Sequence, residues 1–155
     1  MAKLLHRTSW IIIAEHIMLN LENKVVARFR DGRILKGFTH DFNHNKPVFH
    51  LTPTDDKKEL MQINICQLKA LFFVKTFEGK KDYKAPAESI ILENLKKVPG
   101  LKLKITFFDG EIMYGSTQGY DPERKGFFVF PADQDANCER AFIIREATID
   151  VTTWR

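Results

Sequence analysis

From residue 23 onward, apolar and polar residues alternate with a period of two over much of the chain. Val25, Ala27 and Phe29 alternate with Val26, Arg28 and Arg30, and Leu103, Ile105 and Phe107 form a second inward set. That period predicts half-buried strands. Asp31-Gly32 and Asp109-Gly110 predict tight hairpin turns, because glycine accepts positive φ. Further strands are predicted over 48–52, 60–65 and 69–74, and over 126–130, 141–145 and 148–152. Residues 8–21 suit a helix capped by Thr8 or Ser9, although their isoleucines suit a strand as well.

The strands come in two matching sets. When the sequence is slid along itself by 78 residues, Phe29 falls on Phe107, Gly32 on Gly110, Gly37 on Gly115 and Pro53 on Pro131. Nine of the 27 positions from 29 to 55 are then identical. A one-residue insertion continues the match, placing Ile63 and Ile65 on Phe142 and Ile144, and Leu68, Ala70 and Phe72 on Ala147, Ile149 and Val151. A duplicated unit is the direct reading. Gly37 and Gly115, inside strands, predict a bulge or sharp bend of the kind a closing barrel needs. The expected fold is mainly β: two tandem five-stranded small β-barrels. The expected divisions are an N-terminal helix or strand (1–22), a first barrel (23–76), a linker with a short helix (77–100) and a second barrel (101–155). The linker helix follows Pro86, has Ile90, Ile91, Leu95 and Val98 on its apolar side, and ends at Pro99-Gly100.

The first half of each unit resembles the Sm-like (SH3-like) small barrel. The matching positions are Val25, Ala27, Phe29, Gly32, Gly37, Asp41 and Asn45, then Leu103, Ile105, Phe107, Gly110, Gly115 and Asp121. The later apolar-Arg-Gly element of that family is reduced to Ile144-Arg145 in the second unit. Residues 109–117 and 126–133 also resemble an uncharacterised bacterial domain family, which implies a regulatory setting.

Composition adds limits. The chain has 155 residues, thirteen Phe and a formal net charge of +4. That charge permits nucleic acid, anionic lipid or an acidic protein as partner. Cys66 and Cys138 form no CxxC pair, which suits a reduced, cytoplasmic chain. No run reaches the roughly 20 apolar residues of a membrane span, and no cleavable signal is recognised.

No nucleophile elbow, Walker loop, dinucleotide fingerprint or HExxH motif occurs. No catalytic residue, cofactor or metal is therefore assigned, although His40, His44 and His50 lie close enough in sequence to ask whether they gather with Asp41 around a metal. The leading expectation is a non-catalytic adaptor that binds a protein partner, with Phe108 and Tyr114 as outward anchors. They either cover the linker helix, dock the other unit or meet a partner. The rival is an RNA-binding protein. Its contacts would be the basic hairpin (Arg28, Arg30, Arg33, Lys36), the loops carrying Phe42, Asn45, Lys46, Tyr120 and Arg124, and Arg145. Self-association is compatible with either.

Overall fold

The computed structural model describes residues 22–55, 59–133 and 135–155. The expected N-terminal element at 8–21 lies outside the described residues. Among the described residues there are ten strands: β1 (Asn23–Phe29), β2 (Ile34–Thr39), β3 (Val48–Pro53), β4 (Met61–Asn64), β5 (Leu68–Val74), β6 (Leu101–Phe107), β7 (Ile112–Thr117), β8 (Gly126–Pro131), β9 (Cys138–Ile144) and β10 (Thr148–Trp154). Single 3-10 turns, Ile65–Gln67 and Arg145–Ala147, precede β5 and β10. One α-helix, α1 (Glu88–Lys96), lies between β5 and β6.

All ten strands belong to one antiparallel sheet in the order β10-β6-β7-β8-β9-β5-β1-β2-β3-β4. This overturns the expected pair of closed small barrels and the Sm-like resemblance. The sheet is open, and β5 pairs directly with β9, so the two halves share a ladder. Ala70 faces Ile143, Leu71 faces Phe142 and Phe72 faces Ala141. One hydrophobic core runs through both halves, from Val25, Phe49 and Leu71 to Ile105, Val129 and Ile143. Units of about 50 residues bury too little surface to stand alone easily; here the shared ladder and core replace two small, separate interiors.

The inward sets of β1 and β6 sit as alternation requires: Val25, Ala27, Phe29, Leu103, Ile105 and Phe107 are all buried. At both Asp-Gly turns the glycine has positive φ, 95° at Gly32 and 87° at Gly110. The aspartates close these turns: Asp31 Oδ1 accepts from the Arg33 amide at 3.0 Å, and Asp109 Oδ1 from the Glu111 amide at 3.0 Å. Gly37 and Gly115 are not bends. They sit in unbroken ladders, Gly37 between Val25 and Pro53 and Gly115 between Leu103 and Pro131. They are small because a Cβ at Gly37 would strike the Leu51 side chain and the Thr52 carbonyl, and one at Gly115 the Val129 side chain. Register shifts fall instead at Arg28/Phe29, Phe73/Val74 and Thr148/Asp150.

The one-residue insertion is also corrected. Phe49 pairs Ile63 while Phe127 pairs Ile143, and both 3-10 turns are 80 residues apart. Ile63 therefore corresponds to Ile143 rather than Phe142. The helix lies within the predicted segment, but Leu95 alone of its apolar set is fully buried, and Ile90 is 52% exposed.

Candidate functional site

The junction between the halves organises the chemistry. Phe42, at the tip side of the β2–β3 connection, is surrounded edge-on by Phe49 at 5.3 Å, Phe73 at 5.7 Å, Phe128 at 6.1 Å and Phe142 at 5.3 Å between ring centroids. These rings come from both halves. Aromatic pairs in this range favour edge-to-face contact over stacking. Phe42 is thus a half-buried packing residue of the junction. Tyr120 packs edge-on against Phe127 at 5.0 Å.

Beside this cluster lies a cleft of about 460 Å³, walled by the loop 117–126 on one side and His44 on the other, with Phe127, Phe128, Phe130, Arg140 and Phe142 lining it. Adjacent Phe127 and Phe128 point to opposite faces of β8; Phe127 is buried in the core and Phe128 half-buried, and both border the cleft. Arg140 is the chemical centre. Its guanidinium carbon stands 4.3 Å from the Phe73 centroid and 5.1 Å from that of Phe128. Cation–π attraction holds the side chain in this geometry. Among the described residues Arg140 has no side-chain hydrogen bond or ion pair. Its donors therefore remain available in a site walled by apolar rings. Arg124 stands at the rim, 3.7 Å from Asp121, and Phe130 at the cleft is 45% exposed.

The basic hairpin is not a free cationic strip. Arg28 bonds Glu111 at 3.1 Å and Arg30 bonds Glu146 at 2.7 Å, both across the halves. Arg33 pairs with Asp31 at 2.8 Å, and the Lys36 ammonium donates to the Phe77 carbonyl at 3.0 Å. Buried Lys69 adds bonds of 2.6 Å to Asp109 and 2.5 Å to Glu111. Asn45 and Lys46 lie exposed in the β2–β3 loop, where their amides close turns onto Asn43. Arg145 is exposed at the second 3-10 turn.

The three histidines part company. His40 meets Glu22 at 3.0 Å, His50 Nδ1 meets Asp41 at 2.7 Å, and His44 lies against Phe128 and Phe142. Partial burial pushes the Asp41 carboxyl up, but bonds from the His50 amide, the His50 ring and Thr39 outweigh it and hold the pKa below its ordinary value. Among the described residues no group of three or more His, Cys, Asp or Glu could hold a metal ion. Burial pushes the Cys138 thiol up to about 11, which removes it as a nucleophile at neutral pH. Cys66 is exposed.

Phe108 is 70% exposed at the β6–β7 turn. Tyr114 is half-buried, and its hydroxyl donates to Glu88 at the start of α1. Arg140, Phe128, Phe130 and Phe142 were not singled out from the sequence. Their only signal there is the break in alternation at Phe127-Phe128, which places a large ring on each face of β8.

Among the described residues, fold and cleft together define a mainly β protein with one open ten-stranded sheet, one helix and an aromatic-walled cationic cleft at its centre. The chain belongs to a family of unknown function (DUF6982), whose model matches residues 21–154. No curated protein and no solved structure matches it. Among the described residues, no helix is long and apolar enough to cross a membrane.

Proposed function

We propose that this protein is a non-catalytic binding module that takes a segment of a protein partner in the junction cleft. The segment would carry a carboxylate between apolar side chains. The observation behind this reading is Arg140: a guanidinium over the rings of Phe73 and Phe128, with no hydrogen-bond or ion-pair partner among the described residues, beside exposed Phe130. Charge-assisted bonds to a carboxylate are strong in such surroundings, and flanking rings supply apolar area for anchoring. RNA is disfavoured as the occupant because Arg28, Arg30, Arg33 and Lys36 are already engaged, and Phe42 and Tyr120 are packed edge-on. The test places a benzophenone amino acid at position 130 and irradiates living cells of the source organism. The expected adduct is destroyed by protease, resists nuclease and disappears with Arg140→Gln. An adduct digested by nuclease, or one indifferent to Arg140→Gln, overturns the reading.

A further inference from the structure

The two halves of the sheet are wired in the same order, β5-β1-β2-β3-β4 and β10-β6-β7-β8-β9. The ladders fix which residues correspond. Ala27 lies between Leu35 and Leu71, and Ile105 between Met113 and Val151. Phe49 pairs Ile63, and Phe127 pairs Ile143. Hence β10 is the counterpart of β5, and β4 the counterpart of β9. Within the chain β5 and β9 pair with each other. Their counterparts β10 and β4 are the two ends of the sheet, each with one edge that pairs with no strand among the described residues. An edge strand presents a row of free N–H and C=O groups.

The side chains at the junction have counterparts as well. Lys69 is the residue skipped by the β1–β5 register, and Ile149 the one skipped by β6–β10. Lys69 sits over the Phe107 ring, 4.5 Å from its centroid, beside Glu111. The counterparts of Phe107 and Glu111 are Phe29 and Arg33. At that place is a hollow of about 280 Å³, lined by Phe29, Arg33, Ile34, Leu35, Met61 and Ile63 among others. Likewise Arg30 meets Glu146 inside the chain, and their counterparts are Phe108 and Cys66. Two of the three cations that fasten the internal junction, Lys69 and Arg30, are thus replaced at the β10 end by Ile149, 60% exposed, and Phe108, 70% exposed. The opposite end offers the hollow rimmed by exposed Ile34 and Met61. Apolar groups at one edge match an apolar seat at the other.

We infer that β10 of one copy pairs antiparallel with β4 of a second copy, joining chains head to tail. Asp150, Val151 and Thr152 face Ile63, Gln62 and Met61 of the neighbour, as Ala70, Leu71 and Phe72 face Ile143, Phe142 and Ala141 inside the chain. Ile149 enters the hollow over Phe29, and Phe108 lies against Cys66. The contact is heterologous, so it propagates into a ring or an open filament. It does not rest on the cleft reading, since the cleft lies at the internal junction and these are the outer edges.

The full chain carrying Phe108→Cys, oxidised with copper(II)-phenanthroline, tests the geometry. The expected product is a reducible ladder of dimers and higher species with a mapped 66–108 disulfide, absent when Cys66→Ser is added. Analytical ultracentrifugation of the unmodified chain should show mass rising with concentration. Phe108→Glu with Ile149→Glu should give a monomer whose melting curve matches that of the unmodified chain at high dilution, both side chains being mostly in water. Met61→Lys should weaken assembly, and Thr152→Glu in the same chain should restore it through the cross-strand pair. A chain that stays monomeric and forms no 66–108 disulfide, or an assembly untouched by the double glutamate variant, overturns the inference.

Discussion

The ammonium of Lys69 lies 2.6 Å from the Asp109 carboxylate, a contact that crosses from β5 to the β6–β7 turn. The Lys69 side chain is 7% exposed, whereas Asp109 is 52% and Glu111 43% exposed. This asymmetry decides which deletion hurts. Losing the lysine returns the Asp109 carboxylate to water and leaves Glu111 bonded to Arg28. Losing both carboxylates strands a buried cation.

Lys69→Met should therefore cost about 1 kcal/mol, while Asp109→Asn with Glu111→Gln should cost about 3 kcal/mol, the scale for an uncompensated buried charge. Urea unfolding of the three proteins checks the order. An equal or reversed pair of losses would show that Lys69 is held by its packing over Phe107.

The same contacts predict acid lability. The Lys69 bond, followed by the Glu111 amide, holds Asp109 below its ordinary 3.8, and the Arg30 bond holds Glu146 below 4.5. Both carboxyls bind protons less readily folded than unfolded. Their contribution is complete above the ordinary values and fades as pH falls through the lowered ones. Melting temperature followed against pH should drop on the acid side. Asp109→Asn with Glu146→Gln should flatten that limb and leave the neutral region lower.

Strands and hairpins were legible because each is a local pattern: alternation marks the strand and Asp-Gly the turn. The junction was not. Edge-to-edge pairing of β5 with β9 leaves no periodic trace, so the same alternation fits two closed barrels or one open sheet. The register slip has a similar cause. In β9 Ala141, Phe142, Ile143 and Ile144 are all buried, so alternation fades where it was needed to set the second insertion. One residue of slip exchanges the two faces of a strand. The basic hairpin looked free because Glu111 and Glu146 reach it only through the fold. The cleft escaped notice because Arg140 draws its meaning from Phe73, 67 residues away.

Gly37 and Gly115 carry a steric prediction. Alanine at Gly37 forces the Thr52 carbonyl and Leu51 apart, and at Gly115 it strikes Val129 and the Phe130 carbonyl. Each substitution should cost about 2 kcal/mol, as overpacking does. Alanine at Gly32 has open space around it and bears only the strain of positive φ, about 1 kcal/mol. Thermal unfolding that ranks Gly32→Ala as the worst of the three would contradict the close-approach explanation.

The alkaline side reports on the helix. The Tyr114 hydroxyl donates to Glu88, and that bond, with some burial, pushes its pKa up to about 12. The folded state thus favours the neutral phenol. Its contribution is complete below the ordinary 10.0 and is lost as pH rises toward 12. Tyr83, bonded to Asp133, is likewise pushed up to about 12, with burial the larger cause. The chain has three tyrosines, so the two are separable by substitution. In a Tyr83→Phe background, phenolate absorbance should rise late for Tyr114. Adding Glu88→Gln should move that rise toward 10.0, because the neutral amide no longer opposes a phenolate. Glu88→Ala, which removes the acceptor altogether, should release the start of α1 from β7, read as faster amide exchange at the helix N-terminus with the sheet unaffected. A titration unmoved by Glu88→Gln would mean that burial alone sets Tyr114.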